Sequence, residues 1–155
     1  ATTRLVPEPG KPSNGAIFRS DDHGATWAKV DLKEVTGKVG RMTLAVAEST
    51  VDTDATRIYV QAADPRGRAQ ADILRSDDGG TTFVPMGVNA SSKALNANPV
   101  KPNLELMGGQ GFYNHMIAVD PKNPDNVIIG GNLAVATSND GGKSWALVSD
   151  WRPLA

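Results

Sequence analysis

The sequence predicts an all-β protein, and three observations support this fold class. The chain of 155 residues contains 16 Gly and 10 Pro, which interrupt it too often for long helices. Its apolar runs are three to six residues long, as is typical of short strands. A turn string of eight residues also occurs three times, which indicates a repeat architecture. The length suits one domain with a hydrophobic core.

The overall composition excludes several classes of function. The chain has 16 basic and 17 acidic residues, and neither sign forms a run of five. This balance argues against nucleic-acid binding, which needs a basic surface. No apolar stretch approaches the roughly 18 residues of a membrane-spanning helix, so membrane insertion is not expected. The absence of Cys excludes disulfides and Cys-ligated zinc, and the sequence predicts no metal and no cofactor.

The repeated strings are "SDDHGATW" (20–27), "SDDGGTTF" (76–83) and "SNDGGKSW" (138–145). They share the frame Ser-x-Asp-x-Gly-x-(Thr/Ser)-(Trp/Phe). An Asp in a tight turn accepts hydrogen bonds from backbone N–H groups, Gly adopts positive φ, and the aromatic residue opens the next strand. We interpret the string as a structural turn. The fifteen residues of the frame are Ser20, Asp22, Gly24, Thr26, Trp27, Ser76, Asp78, Gly80, Thr82, Phe83, Ser138, Asp140, Gly142, Ser144 and Trp145.

Two ligand-binding interpretations of these strings fail on spacing. A calcium-binding EF-hand loop requires a carboxylate at its twelfth position, which none of the three strings supplies. A phosphate-binding loop around "GGKS" (141–144) requires Gly at the position of Thr137.

The frame resembles the Asp-box, or BNR repeat, of sialidases, xyloglucan-cleaving glycoside hydrolases, sortilin-type receptors and photosystem assembly factors. In that family the box joins the third and fourth strands of a β-propeller blade. The stretch 113–145 resembles a whole blade of this kind. The resemblance implies an all-β propeller fold and a secreted, periplasmic or cell-surface location. It implies little about function, because the box occurs on unrelated activities.

The predicted fold is a portion of a β-propeller with about three four-stranded antiparallel blades. Blade 1 covers about 1–33 and lacks its innermost strand. Blade 2 covers about 41–88 and is followed by a long connection over 86–115, and blade 3 covers about 115–151. The total is eleven strands. Because propeller rings usually have four to eight blades, we expect the remaining blades to come from the same parent protein, another chain or other copies of this chain.

A ligand site is expected on the face opposite the box turns, where two long connections fall, around 61–72 and over 86–115. Amides beside aromatic rings suit the hydroxyls and ring faces of a glycan, although Asn, Ser, Pro and Gly are also ordinary loop formers. Arginines there could bind an anionic group or simply lie in solvent, and the histidine could exchange protons or be structural. The candidates are Arg66, Arg68, Asn96, Asn98, Asn103, Gln110, Tyr113, Asn114 and His115.

Two functions remain from the sequence. The favoured one is a non-catalytic recognition scaffold for glycan or protein ligands. The alternative is part of a secreted glycoside hydrolase, sialidase-like or xyloglucanase-like, with catalytic residues partly or wholly outside this chain. Its weak catalytic candidates are Asp64, Asp72 and Glu105, and none lies in a recognised motif. The Arg-Ile-Pro string of sialidases is replaced by 57–59, Arg-Ile-Tyr, and no arginine triad is found.

Overall fold

A computed structural model of the chain describes residues 2–4, 15–35, 38–51, 55–98 and 100–152. These residues form thirteen β-strands and one short 3₁₀ turn, Glu48–Thr50, with no α-helix among them. The strands make one three-stranded sheet, two four-stranded sheets and a separate two-stranded hairpin, all of them antiparallel. The all-β prediction is therefore confirmed, and the sheets are compatible with propeller blades.

Blade 1 contains β1 (Thr2–Arg4), β2 (Gly15–Arg19) and β3 (Ala28–Lys29), with β2 in the middle. Blades 2 and 3 each contain four strands in sequence order, as expected for an up-and-down blade. In blade 2 these are β4 (Met42–Val46), β5 (Ile58–Ala63), β6 (Gln70–Ser76) and β7 (Val84–Pro85). In blade 3 they are β10 (Met116–Val119), β11 (Val127–Gly130), β12 (Ala134–Ser138) and β13 (Ala146–Asp150).

The long connection between blades 2 and 3 contains a hairpin that the sequence did not predict. Its strands are β8 (Lys93–Asn98) and β9 (Lys101–Asn103). The predicted count of eleven strands was therefore too low, because the described residues alone form thirteen. The polar sequence of this segment reads as a loop, and only its position beside β13 explains its extended backbone.

The hairpin lies along β13, the outer strand of blade 3. The backbone N–H of Leu95 donates to the carbonyl of Trp145 at 2.8 Å. The side-chain amide of Asn96 donates to the carbonyl of Leu147 at 2.9 Å and accepts from its N–H at 2.7 Å. One side chain thus satisfies both backbone groups of an edge-strand residue.

Two hydrophobic clusters join the three blades. The first packs Ile17 and Val30 of blade 1 against Val60 and Leu74 of blade 2. The second packs Tyr59 and other residues on the opposite side of blade 2 against blade 3. Because successive side chains of a strand point to opposite faces, neighbouring residues of one strand serve different clusters. Blade 2 is therefore covered by apolar side chains on both faces.

The three box strings form the same hydrogen-bonded turn. In the third, Asp140 accepts from the backbone N–H groups of Lys143 and Ser144, at 3.0 and 2.9 Å, and from the Ser144 hydroxyl. Ser138 Oγ accepts from the Gly142 N–H at 2.9 Å and donates to Asp140. The indole N–H of Trp145 donates to the Gly142 carbonyl at 3.0 Å. We call this arrangement the box turn.

The carboxylates of the box turns are held in their charged form. In Asp22 the Thr26 hydroxyl and N–H and the Ser20 hydroxyl lower the pKa to about 2. Burial raises the pKa of Asp78 and Asp140, but equivalent hydrogen bonds outweigh it and lower the pKa of each to about 2. A carboxylate that accepts several hydrogen bonds is stabilised in its ionised state.

Charged side chains link each box turn to its neighbour. Arg19 donates to Thr81 Oγ1 at 2.8 Å, from blade 1 to the box turn of blade 2. Arg75, at the equivalent position, donates to the Gly141 carbonyl at 2.9 Å in the box turn of blade 3. Arg57 bridges Asp77 of blade 2 and Asp125 of blade 3. Although burial opposes its charge, these hydrogen bonds raise the pKa of Arg57 above its ordinary value.

Replacing Asp140 is expected to lower stability in a pH-dependent way. At pH 7, Asp140→Asn leaves the Ser144 hydroxyl without its acceptor, at a cost of roughly 1 to 3 kcal/mol. The carboxylate's contribution is fully present above its unfolded pKa of 3.8 and is lost as the pH falls through about 2. The free energy of unfolding of Asp140→Asn should therefore fall less steeply between these pH values than that of the original chain.

Urea unfolding at several pH values measures this difference. Asp31→Asn is the matched control, because Asp31 is an exposed carboxylate whose ion pair with Lys33 is 3.5 Å long. It should change stability by less than about 0.5 kcal/mol at pH 7. Equal loss of stability in the two variants would show that the box turn is not a structural element.

Candidate functional site

The two long connections meet on the face opposite the box turns. The turn between β5 and β6, residues 64–69, contacts residues 110–115, and we call these two segments the loop cluster. The backbone N–H of Gly111 donates to the carbonyl of Arg68 at 3.4 Å, and Arg41 Nη1 donates to the carbonyl of Phe112 at 3.2 Å. A Cβ on Gly67 would lie 2.6 Å from Cβ of Phe112. The expectation that both expansions share one face agrees with these contacts.

The turn 64–69 is built around Asp64. Its carboxylate accepts from the backbone N–H of Arg68 at 2.8 Å, and its carbonyl accepts from the N–H of Gly67 at 2.8 Å. Gly67 has a φ of 68°, in the left-handed region where a side chain is strained. The turn places the side chains of Arg66 and Arg68 in solvent on the rim of the cluster.

An aromatic pair forms the exposed centre of the loop cluster. The rings of Phe112 and Tyr113 pack edge to face with centroids 4.5 Å apart. They remain 43% and 52% exposed, and the Tyr113 hydroxyl donates to Gln110 Oε1. Asn114 donates to Asn132 across a long contact of 3.5 Å. This surface combines two large exposed rings with neighbouring amide groups, which is a suitable composition for ligand binding.

Two side chains, Gln61 and His115, bury polar atoms near the backbone of Gly111 in the loop cluster. Gln61 is fully buried, and its Nε2 donates to Gln70 Oε1 at 3.3 Å and to the Gly130 carbonyl at 3.1 Å. Its Oε1, and both ring nitrogens of His115, have no hydrogen-bond partner among the described residues. Burial, together with the nearby charge of Arg41, lowers the pKa of His115 even though backbone contacts of Gly111 and Gln61 oppose the shift. This shift favours the neutral imidazole of His115.

The other predicted ligand residues lie in or beside the hairpin β8–β9. The amide of Asn96 is bonded to Leu147, and the amide and carbonyl oxygens of Asn103 both accept from Arg152. No described hydrogen bond joins either residue to the loop cluster. The side chain of Asn98 lies outside the described part of the structure. The cluster thus contains Arg66, Arg68, Gln110, Tyr113, Asn114 and His115 of the predicted set.

The three candidate acids accept hydrogen bonds from the backbone. Besides Asp64, Asp72 accepts from the N–H groups of Ile73 and Val88, at 2.8 and 2.9 Å. Glu105 accepts from the N–H groups of Met107 and Gly108, both at 3.0 Å. Burial raises the pKa of Asp72, although its backbone hydrogen bonds act against the shift. Each of these carboxylates has a local structural role.

Arg41 is a member of the site that the sequence did not predict, whereas Phe112 belongs to the aromatic group that the sequence predicts at the end of the long connection. Arg41 precedes β4 and is distant in sequence from the cluster, so only the fold brings its guanidinium to the Phe112 carbonyl. Phe112 stands beside Tyr113 in a Gly-rich stretch, and a pair of adjacent aromatic residues in a loop was a usable signal.

Two absences follow from the described part of the chain. No group of three or more His, Cys, Asp or Glu residues in these ranges is arranged to hold a metal ion. Across the same residues there is no helix with the length and apolar character needed to cross a membrane.

The repeated box turns and the four-stranded antiparallel sheets define a propeller-type segment. The family model of the BNR/Asp-box repeat matches residues 18–29, which run from the end of β2 through the first box turn to β3. The suspected relationship to this repeat is therefore confirmed at that box. BNR repeats are typical of extracellular proteins. No curated protein matches the chain.

Gly67→Ala is expected to disturb the aromatic pair. The new Cβ would be strained by the positive φ and would also collide with Phe112. Gly87→Ala is the control, because Gly87 has a similar φ of 71° and nothing within 4 Å of an added Cβ. We expect roughly 1 to 2 kcal/mol of destabilisation in the control and about 1 to 3 kcal/mol more in Gly67→Ala. Thermal unfolding measures the difference, and equal losses would show that the contact with Phe112 is loose.

Proposed function

We propose that this segment is a non-catalytic recognition module that binds a glycan at the loop cluster. The observation that carries the proposal is the exposed edge-to-face pair of Phe112 and Tyr113. Large apolar side chains are usually buried, and an exposed pair on the loop face is a feature of interaction surfaces. The two rings offer apolar area for the C–H faces of a sugar, while neighbouring amides can exchange hydrogen bonds with its hydroxyls.

Rigidity of the loop cluster supports recognition. The aromatic pair is fixed by Arg41, by the contact between Gly67 and Phe112, and by the hydrogen bond from Gly111 to Arg68. A preformed site loses less conformational entropy when a ligand binds. The side-chain amide of Gln110 can exchange hydrogen bonds with an uncharged ligand, whereas Arg66 and Arg68 on the rim would tolerate an anionic substituent.

The behaviour of the candidate acids also supports a non-catalytic role. A glycoside hydrolase needs two carboxyl groups that face the substrate, one of them free to give up a proton. Asp64 and Glu105 instead hold turns through backbone hydrogen bonds. As a recognition module related to Asp-box proteins, the segment would act outside the cell, at the cell surface or in the periplasm.

Binding to oligosaccharides tests this proposal. Tyr113→Ala and Phe112→Ala should each weaken binding by about tenfold or more in isothermal titration with a neutral xyloglucan oligosaccharide and a sialylated trisaccharide. Tyr113→Phe keeps the ring and removes only the hydroxyl, so it should weaken binding less. Trp151→Ala removes a ring that is 79% exposed and lies outside the loop cluster, so it should leave binding unchanged. If neither sugar binds the original chain, or if Trp151→Ala has the same effect as Tyr113→Ala, the proposal fails.

A second candidate function is part of a glycoside hydrolase, and one observation favours it. Burial raises the pKa of Asp72, which is the direction that a general acid requires. The carboxylate is nevertheless engaged by two backbone N–H groups, so we expect its replacement to affect folding more than chemistry.

Substitution of the acids distinguishes the two functions. If the protein cleaves a polysaccharide, turnover should persist in Asp64→Asn and Glu105→Gln, because these side chains can keep one oxygen as an acceptor in their turns. Reducing-sugar release by each folded variant is the measurement. A loss of turnover of about a hundredfold or more, with an unchanged thermal midpoint, would favour the hydrolase instead.

A further inference from the structure

The blades of this chain pack against one another in one repeated way. In blades 2 and 3, the aromatic residue that ends the box turn lies against the preceding blade. Phe83 of blade 2 packs on the cluster that contains Ile17 and Val30 of blade 1. Trp145 of blade 3 lies in the cluster with Tyr59 and Ile73 of blade 2 and is only 2% exposed. These two interfaces show that the face of one blade binds the box-turn aromatic residue of the next blade.

Trp27 is the equivalent aromatic residue of blade 1, and it is exposed. Its indole N–H donates to the Gly24 carbonyl at 3.1 Å, as that of Trp145 does to Gly142 at 3.0 Å, so the ring is held in the same box turn. Yet Trp27 is 51% exposed. The box turn of blade 3 lies against blade 2, because a Cβ added to Gly142 would be within 4 Å of Tyr59 and Met86. In blade 1, a Cβ added to Gly24 would be within 4 Å only of Trp27, in the same turn.

Blade 3 carries the matching surface on its far side. Tyr59 pairs with Arg75 in blade 2, and Ile128 pairs with Thr137 in blade 3, so Ile128 occupies the place of Tyr59. Val148 follows its box aromatic by three residues, as Met86 does, and is 62% exposed. An open groove of about 660 Å³ lies on this side of blade 3. Its lining includes Leu95, Ala118, Ile128, Thr137 and Ala146.

The rim of this groove lacks charges that the internal interface uses. Blade 2 holds blade 3 through Arg57, Arg75 and Asp77. The positions equivalent to these three in blade 3 are occupied by Asn126, Thr137 and Asn139, which are neutral and line the groove. The lining also contains one carboxylate, that of Asp120, which already accepts from the Lys122 backbone N–H at 2.8 Å and from the Asn126 amide at 3.4 Å. An aromatic ring entering the groove would therefore bury apolar surface beside a carboxylate that keeps its hydrogen bonds.

We propose that the groove of blade 3 binds a second copy of this chain, which inserts Trp27 from its blade 1. The contact is head to tail, because the two surfaces are different and lie on blades at opposite ends of the segment. Such a heterologous contact extends the packing already seen between blades 1 and 2 and between blades 2 and 3. It forms a closed ring if the rotation between copies permits, and the chain itself supplies both complementary surfaces.

The native mass of the purified chain tests whether it associates. Sedimentation equilibrium from about 1 to 100 µM should give a mass above that of one chain. Trp27→Ala removes the inserted ring, and Ala118→Glu places a charge at an exposed position in the groove. Each should weaken association by about tenfold or more, with an unchanged circular dichroism spectrum. Trp151→Ala, which removes a 79% exposed ring outside the groove, is the control and should associate normally.

Mixing the two variants tests the head-to-tail geometry. Ala118→Glu keeps an intact Trp27, and Trp27→Ala keeps an intact groove, so the mixture should form a dimer at concentrations at which each variant alone is monomeric. A monomeric original chain over the whole concentration range would overturn the proposal, because the groove would then be reserved for a different polypeptide. Association that Ala118→Glu abolishes but Trp27→Ala does not would indicate groove-to-groove pairing and would also overturn it.

Discussion

The fold depends on the ionised carboxylate at the centre of each box turn. In the third turn, Asp140 accepts from two backbone N–H groups and two hydroxyls within the stretch 138–144. These contacts reverse the chain between the third and fourth strands of a blade. They also fix the backbone just before the aromatic residue, so that the indole of Trp145 turns back onto the Gly142 carbonyl and its ring faces the neighbouring blade. A local hydrogen-bond network thereby determines a long-range contact.

Two kinds of interaction then join the blades, and they lie at different depths. The buried clusters supply non-directional apolar contacts, which stabilise the packing but do little to fix the relative position of the blades. At the surface, Arg19 and Arg75 reach from one blade to the next box turn, and Arg57 connects two carboxylates. Surface ion pairs contribute little energy singly. Their value here is geometric, since each arginine reaches its partner on the next blade only at one relative position of the blades.

The sequence was sufficient where structure follows from local pattern. The three box frames and the short apolar runs predicted the strands that surround them, because turn chemistry and period-two alternation are encoded within a few residues. The hairpin β8–β9 was missed, since its strands are polar and owe their extended form to β13. The contact of Arg41 with Phe112 joins residues 71 positions apart and follows only from the fold. Asn96 was predicted for a ligand, and its amide is instead occupied by Leu147.

The hydrogen bonds between the Asn96 side chain and the Leu147 backbone have a consequence for the edge of blade 3. The outermost strand of a sheet presents unpaired N–H and C=O groups, to which strands of other molecules can add without limit. On β13 the side chain of Asn96 mimics one residue of such a strand, with one donor and one acceptor, and Leu95 occupies the next carbonyl. At this point the edge of β13 is covered by residues 95 and 96 of the hairpin β8–β9, so that its outward backbone groups at Trp145 and Leu147 are already paired within the chain.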